Sequence, residues 1–215
     1  MMADRKVKIL TPATSTDFVT LAEAKTMLGI VTSTPDQDAQ LAMMISWCSA
    51  VVMRICNRDD AIASMAYETL TEDWRELGSN RVYLSHWPVK ESDIQSVAVN
   101  GVTLDPSSYD LEQGSGKLSN YSGWQDEPIT VTYSGGYQLP DEAPLALKQA
   151  TVIFIVEARM RARQSQVGGV RQISHKEARV SFFDPNAALA RLAPGGGIAQ
   201  PQAYNLLYHY IRFEV

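Results

Sequence analysis

The feature that most limits what this chain can become is a double change of hydrophobic period. From Thr20 to about Asn57 apolar residues recur at helical spacing, from about Tyr67 to Tyr133 they alternate, and from about Ala143 to Arg163 helical spacing returns. A pattern of period near 3.6 does not settle as a strand, nor one of period 2 as a helix. The expected fold is therefore α+β: a helical bundle of three main helices, with a small antiparallel β-sheet inserted at about 66–135 and an extended C-terminal arm. Residues 1–19 read as an N-terminal arm, 20–164 as the helical core carrying the insertion, 165–200 as a loop or hairpin with a linker, and 201–215 as a C-terminal docking tail.

Local signals support each element. In "TLAEAKTMLGI", Thr20 followed by Glu23 makes a capping box, and Gly29 stands near the stop. Thr34 caps the second helix, Pro35 takes its first position, and Asp36 and Asp38 suit the positive end of its dipole. Leu41, Met44, Ile45, Cys48, Val52 and Ile55 form a buried stripe, and Met43 and Trp47 widen it, so this helix should have neighbours on more than one side. In the β region, Asn100-Gly101 suits a type I′ hairpin turn. Ile129, Val131 and Tyr133 alternate with Thr130 and Thr132, giving one buried and one wet face.

Composition narrows the function. With 45% hydrophobic and 20% charged residues the chain is globular, and a net charge of -5 argues against a nucleic-acid polycation. Cys48 and Cys56 lie eight residues apart on a helix, about 12 Å, too far for a disulfide, and read as buried thiols of a reducing compartment. The N-terminus lacks the apolar core of a signal peptide, and no run approaches the roughly 18 residues of a membrane span, so no membrane partner is expected.

No chemistry announces itself. His86, His175 and His209 fall in separate contexts without metal spacing, so neither a metal nor another cofactor is expected. "EQGSGKL" misses the phosphate-loop pattern, with Leu111 and Leu118 where Gly and Ser or Thr are needed. Glu68, Glu72 and Asp73 form an acidic patch that reads as a solvated strand face. On a strand, Glu68 and Glu72 stand about 13 Å apart, too far for a glycosidase pair. No nucleophile motif is present, and a hydrolase built on this patch is the weakest reading.

Two stretches stand out. Arg159, Arg161, Arg163, Arg171, Lys176 and Arg179 concentrate positive charge with Glu177 the only acid between 159 and 179. That stretch reads as helix-end charge with a solvated loop, as an assembly surface, or as a DNA- or protein-binding module. The closing "YNLLYHYIRFEV", after Gly195–Gly197, is aromatic where termini usually fade. Its spacing fits a helix face or a strand, and it either folds back onto its own core or docks on a partner.

The ordered set of motifs resembles a family. "TLAEAKTMLGI" and "DQDAQLAMMISWCSAVVMRI", then "LSHWPVKESDIQSVAVNGV", then "ITVTYSGGYQLPDEAPLALKQATVIFIVEARMRAR" are similar to the head–tail connector (adaptor) proteins of tailed bacteriophages over about Thr20 to Arg163. The resemblance implies a non-enzymatic virion protein of the neck, assembled in the host cytoplasm. It implies a ring, commonly dodecameric, beneath the portal protein, extending the DNA channel with non-specific DNA contact and offering a platform to a stopper or tail-completion protein. In the family the C-terminal segment contacts the portal. Carried here, that role falls on Tyr204, Leu207, Tyr208, Ile211 and Phe213, and loss of the tail would then abolish assembly while leaving the domain folded.

Overall fold

The computed structural model describes residues 5–58, 63–75, 81–124, 127–166, 172–175, 178–181 and 201–212. The helices are α1 (Leu21–Met27), α2 (Pro35–Ile55), α3 (Leu145–Gln166) and α4 (Pro201–Leu207). Thr20 caps α1 with Glu23 and Thr34 caps α2 with Gln37, each pair closing a reciprocal capping box. Both helices thus start where their side chains satisfy otherwise orphaned N–H groups.

The strands are β1 (Arg5–Thr11), β2 (Glu68–Trp74), β3 (Arg81–Tyr83), β4 (Ile94–Val99), β5 (Val102–Thr103), β6 (Tyr109–Glu112), β7 (Lys117–Asn120), β8 (Ile129–Gly135), β9 (Gln172–His175) and β10 (Ala178–Ser181). They form an antiparallel five-stranded sheet in the order β1-β2-β8-β4-β5, a three-stranded sheet β3-β7-β6, and a β9–β10 hairpin. Asn100 and Gly101, both at positive φ, make the tight β4–β5 turn that the sequence forecast.

The expected three-helix bundle with a small inserted sheet is not the fold. The described residues make a strand-rich mixed α/β fold with four helices and antiparallel sheets of five and three strands. Two features overturn the expectation. Residues 5–11 are β1, whose Lys6 and Lys8 face solvent while Val7 and Ile9 turn inward, and they extend the main sheet from Arg5↔Trp74 to Thr11↔Thr69. The two sheets also own a core of their own, with Leu70, Trp74, Leu84, Leu118, Trp124 and Val131 buried together. Pairing between strands some sixty residues apart leaves no local trace in the sequence, so the edge strand was invisible to period counting.

A second core joins the helices to the sheet's near end, and a third fills the space among α1, α2 and α3. Gly135 and Gly136 sit at the seam. A Cβ on Gly135 would lie 2.2 Å from the His86 carbonyl oxygen, and one on Gly136 (φ +103) would lie 2.3 Å from that of Ala66. Only glycine allows the backbones to come that close.

Candidate assembly interface and buried polar cluster

The C-terminal segment shows which of its apolar residues are spoken for. Ala203 and Leu207 on α4 are fully buried in a cluster with Val52, Met53, Leu147 and Ala150. The chain then makes a 3-10 turn at Tyr208–Tyr210, the Arg212 N–H donates to the Cys56 carbonyl (2.9 Å), and Asn57 Nδ2 donates to the Arg212 carbonyl (3.0 Å). Those bonds fasten the segment across the end of α2. Of the five tail residues singled out from sequence, Leu207 is in the chain's own core, Ile211 is half-buried, and Tyr204 and Tyr208 are exposed one turn apart. Phe213 lies outside the described residues.

The basic stretch is scattered and partly neutralised. Arg159 lines a groove of about 360 Å³ with Ile30, Leu41, Met44 and Asp38. Arg161 is exposed and pairs with Glu157 one turn earlier on α3. Arg163 continues α3 and Arg179 lies on β10, while Arg171 and Lys176 fall outside the described residues.

The acidic patch is where the sequence reading fails most clearly. On β2 the alternation places Glu68, Leu70, Glu72 and Trp74 inward, so Glu68 and Glu72 are buried instead of forming a solvated face. Asp73 points the other way and accepts from Thr130 Oγ1 at 2.7 Å. Glu72 Oε1 accepts from the Ser85 N–H (2.8 Å) and makes short bonds to the Ser85 and Tyr133 hydroxyls. Ser85 Oγ lies 2.9 Å from His86 Nδ1, and His86 Nε2 lies 3.0 Å from Glu68 Oε2. Arg5 Nε stands 3.9 Å from Glu72 Oε2. Burial pushes the Glu68 carboxyl upward, but bonds from His86 and the Ala13 N–H outweigh it and hold it below the ordinary range. Burial, then the neighbouring Glu72, pushes the Tyr133 phenol well above its ordinary value.

A serine, an imidazole and a carboxyl in line would suggest a nucleophile and its base. Here Ser85 and His86 are fully buried, and the serine hydroxyl is engaged by Glu72. The cluster ties β2 and β8 to the 85–86 segment as a buried structural clamp. A period-2 reading of "ETLTEDW" in phase with Leu70 and Trp74 was the signal that would have found it. A second clamp is Arg58, buried and stacked 4.0 Å over Trp87, with Nη2 donating to the Ser64 and Trp87 carbonyls at 2.9 and 2.6 Å. Desolvation lowers its pKa to about 10. Among the described residues no group of three His, Cys, Asp or Glu is placed to hold a metal ion, and no helix is long and apolar enough to cross a membrane.

A family model described as head completion protein matches residues 17–169, from the turn before α1 to just beyond α3. The chain belongs to the head completion protein family. Solved structures share its fold over nearly the full length. A chain from the neck of an empty GTA particle, computed with C6 symmetry, has a TM-score of 0.54 at 13% identity, covering 98% of this chain and 97% of that one. A chain from the virion of a native gene transfer agent particle has a TM-score of 0.54 at 12% identity, covering 97% and 96%. One from the neck of a native GTA particle, computed with C12 symmetry, has 0.51 at 11% identity, covering 98% and 97%. At these identities the likeness is one of fold. No curated protein matches the chain significantly. As a head completion protein, the chain is a structural head–tail connector component of a virion.

Proposed function

We propose that this head completion protein acts as one subunit of a ring in the neck of a phage or phage-like particle. The ring sits beneath the portal, lengthens the DNA channel, and receives the stopper or tail-completion protein on its far side. The supporting observation is the fold match over 97–98% of the chain to chains of GTA necks and virions, together with the family match. The C6 and C12 symmetries with which the matching necks were computed support a ring of six-fold or twelve-fold symmetry. The role is structural, a reading that the family match and the likeness to GTA necks support. In the assembled neck, Tyr204 and Tyr208 are the tail residues left facing outward for contact with a partner.

Loss of the chain from the particle tests this reading. Particles assembled without it are expected to keep filled heads and to lack attached tails, and electron microscopy of complemented particles should place it as a ring at the portal vertex. Normal tailed particles in its absence would refute the proposal.

A further inference from the structure

Of the six asparagines in the chain, only Asn100 is followed by glycine. The pair makes the two-residue β4–β5 turn, with φ of 50° at Asn100 and 79° at Gly101. Both residues are exposed, as is Val102 after them. A Cβ built on Gly101 would meet nothing within 4 Å, so the tip stands clear in solvent. The main chain around it is fastened. The Asn100 N–H donates to the Pro128 carbonyl at 2.8 Å, and the Leu104 N–H to that of Val97 at 2.8 Å. Among the described residues nothing bonds to the Asn100 side-chain amide or to the Gly101 N–H, the two groups that react with each other when an asparagine precedes a glycine.

The other described asparagines differ. Asn57 precedes Arg58, and its Nδ2 donates to the Arg212 carbonyl. Asn120 precedes Tyr121, and its Oδ1 accepts from the Ser122 N–H. Asn205 precedes Leu206 inside α4. In each, the following side chain crowds the backbone nitrogen that would have to attack, whereas glycine has no Cβ to do so. At Asn100 the turn must swing to bring that nitrogen onto Cγ, and its hold is light. β5 is the edge of its sheet, with only the pairs Ala98↔Thr103 and Val99↔Val102. Local opening of such an edge costs far less than global unfolding.

We propose that Asn100 is a site of spontaneous covalent modification, converting to aspartyl and isoaspartyl forms through a ring closed with Gly101. A base takes the Gly101 amide proton, the nitrogen bonds to Asn100 Cγ, and the Cγ–Nδ2 bond breaks to release ammonia. Water then opens the cyclic imide. Cleavage of the new bond at Cγ leaves aspartate. Cleavage at the Asn100 main-chain carbonyl leaves isoaspartate, whose main chain runs through the former side chain. Nothing is oxidised or reduced, and either product sets a negative charge at the tip beside exposed Val102. The test incubates the full chain at mildly alkaline pH, with and without urea, and follows each peptide by mass spectrometry. In the folded sample the peptide holding Asn100 should lose its amide before those holding Asn57, Asn120 and Asn205. It should also take up methyl label from an isoaspartyl methyltransferase. Asn100→Gly removes the reacting amide and still accepts positive φ, so that peptide should then take up no label. A folded chain that keeps its Asn100 amide, whether or not the urea-treated chain loses it, would overturn the inference. So would amide loss at Asn57, Asn120 or Asn205 ahead of Asn100, or conversion of Asn100 without any methyl label.

Discussion

Truncating Leu207 to alanine asks whether the C-terminal segment belongs to the domain or merely follows it. Leu207 is fully buried, wedged with Ala203 among Val52, Met53, Leu147 and Ala150 from α2 and α3. Removing three carbons from such a site costs transfer energy plus the cavity, about 2–5 kcal/mol. Main-chain bonds at Cys56 and Asn57 hold the segment beyond it, which restricts collapse and favours the upper half of that range. For a chain of this length each kcal/mol lowers Tm by about 2–4 °C, so a loss near 3 kcal/mol lowers it by roughly 6–12 °C. Tyr208→Ala, one residue on but exposed, should shift stability by at most about 0.5 kcal/mol. Calorimetry or far-UV circular dichroism on the two variants supplies the comparison. A Leu207→Ala protein melting within about 1 °C of wild type would mean that α4 is not seated on α2 and α3, and the tail would again be a free arm. On the present packing, ending the chain before Pro201 uncovers Met53 and Leu147 and should leave a destabilised, aggregation-prone domain.

Three further outcomes follow from the interior. Burial pushes the Cys48 thiol up to about 11 and Cys56 up to about 12, so both should resist a thiol reagent at about pH 8 in the native state and react on unfolding, read by mass spectrometry. Glu68 and Glu23 are held below their ordinary value of 4.5. The stability they contribute is complete above that value and disappears as pH falls through their lowered folded values. Urea midpoints should therefore drop on acidification from pH 4.5 downward, and Glu68→Gln should flatten the fall. Glu72→Ala strands the buried Ser85 and Tyr133 donors and should cost about 3 kcal/mol or more in urea unfolding, whereas Asp73→Ala on the outer face should cost under about 1.

Helix starts were readable because capping is local: Thr20 with Glu23 and Thr34 before Pro35 carry their own signals within four residues. The Asn100-Gly101 turn and the alternation of Ile129, Val131 and Tyr133 were readable for the same reason. What escaped was set by partners distant in sequence. Nothing within 5–11 says that β2 lies beside it, and the default that glutamates face water hid the inward phase of Glu68 and Glu72. Met43 and Trp47 read as a widening of the buried stripe of α2, and only the fold shows both side chains exposed. The aromatic tail fitted two periods, and packing of Leu207 and Ala203 against α2 and α3 makes its start, as far as Leu207, the end of a short helix.

Gly135 and Gly136 carry a consequence for anyone hoping to graft this sheet. Each lets its strand touch the opposing main chain, at His86 and Ala66, with no side chain between to absorb a misfit. A borrowed sheet cannot be shimmed into place by repacking, as side-chain interfaces often allow. Ala66, His86, Gly135 and Gly136 all fall within 66–137, so a cassette with those bounds carries both contacts, whereas a cut between 86 and 135 would have to match the foreign backbone to within a few tenths of an ångström at each. The strand that ends in Gly135 therefore moves only together with the 66 and 86 segments that it touches.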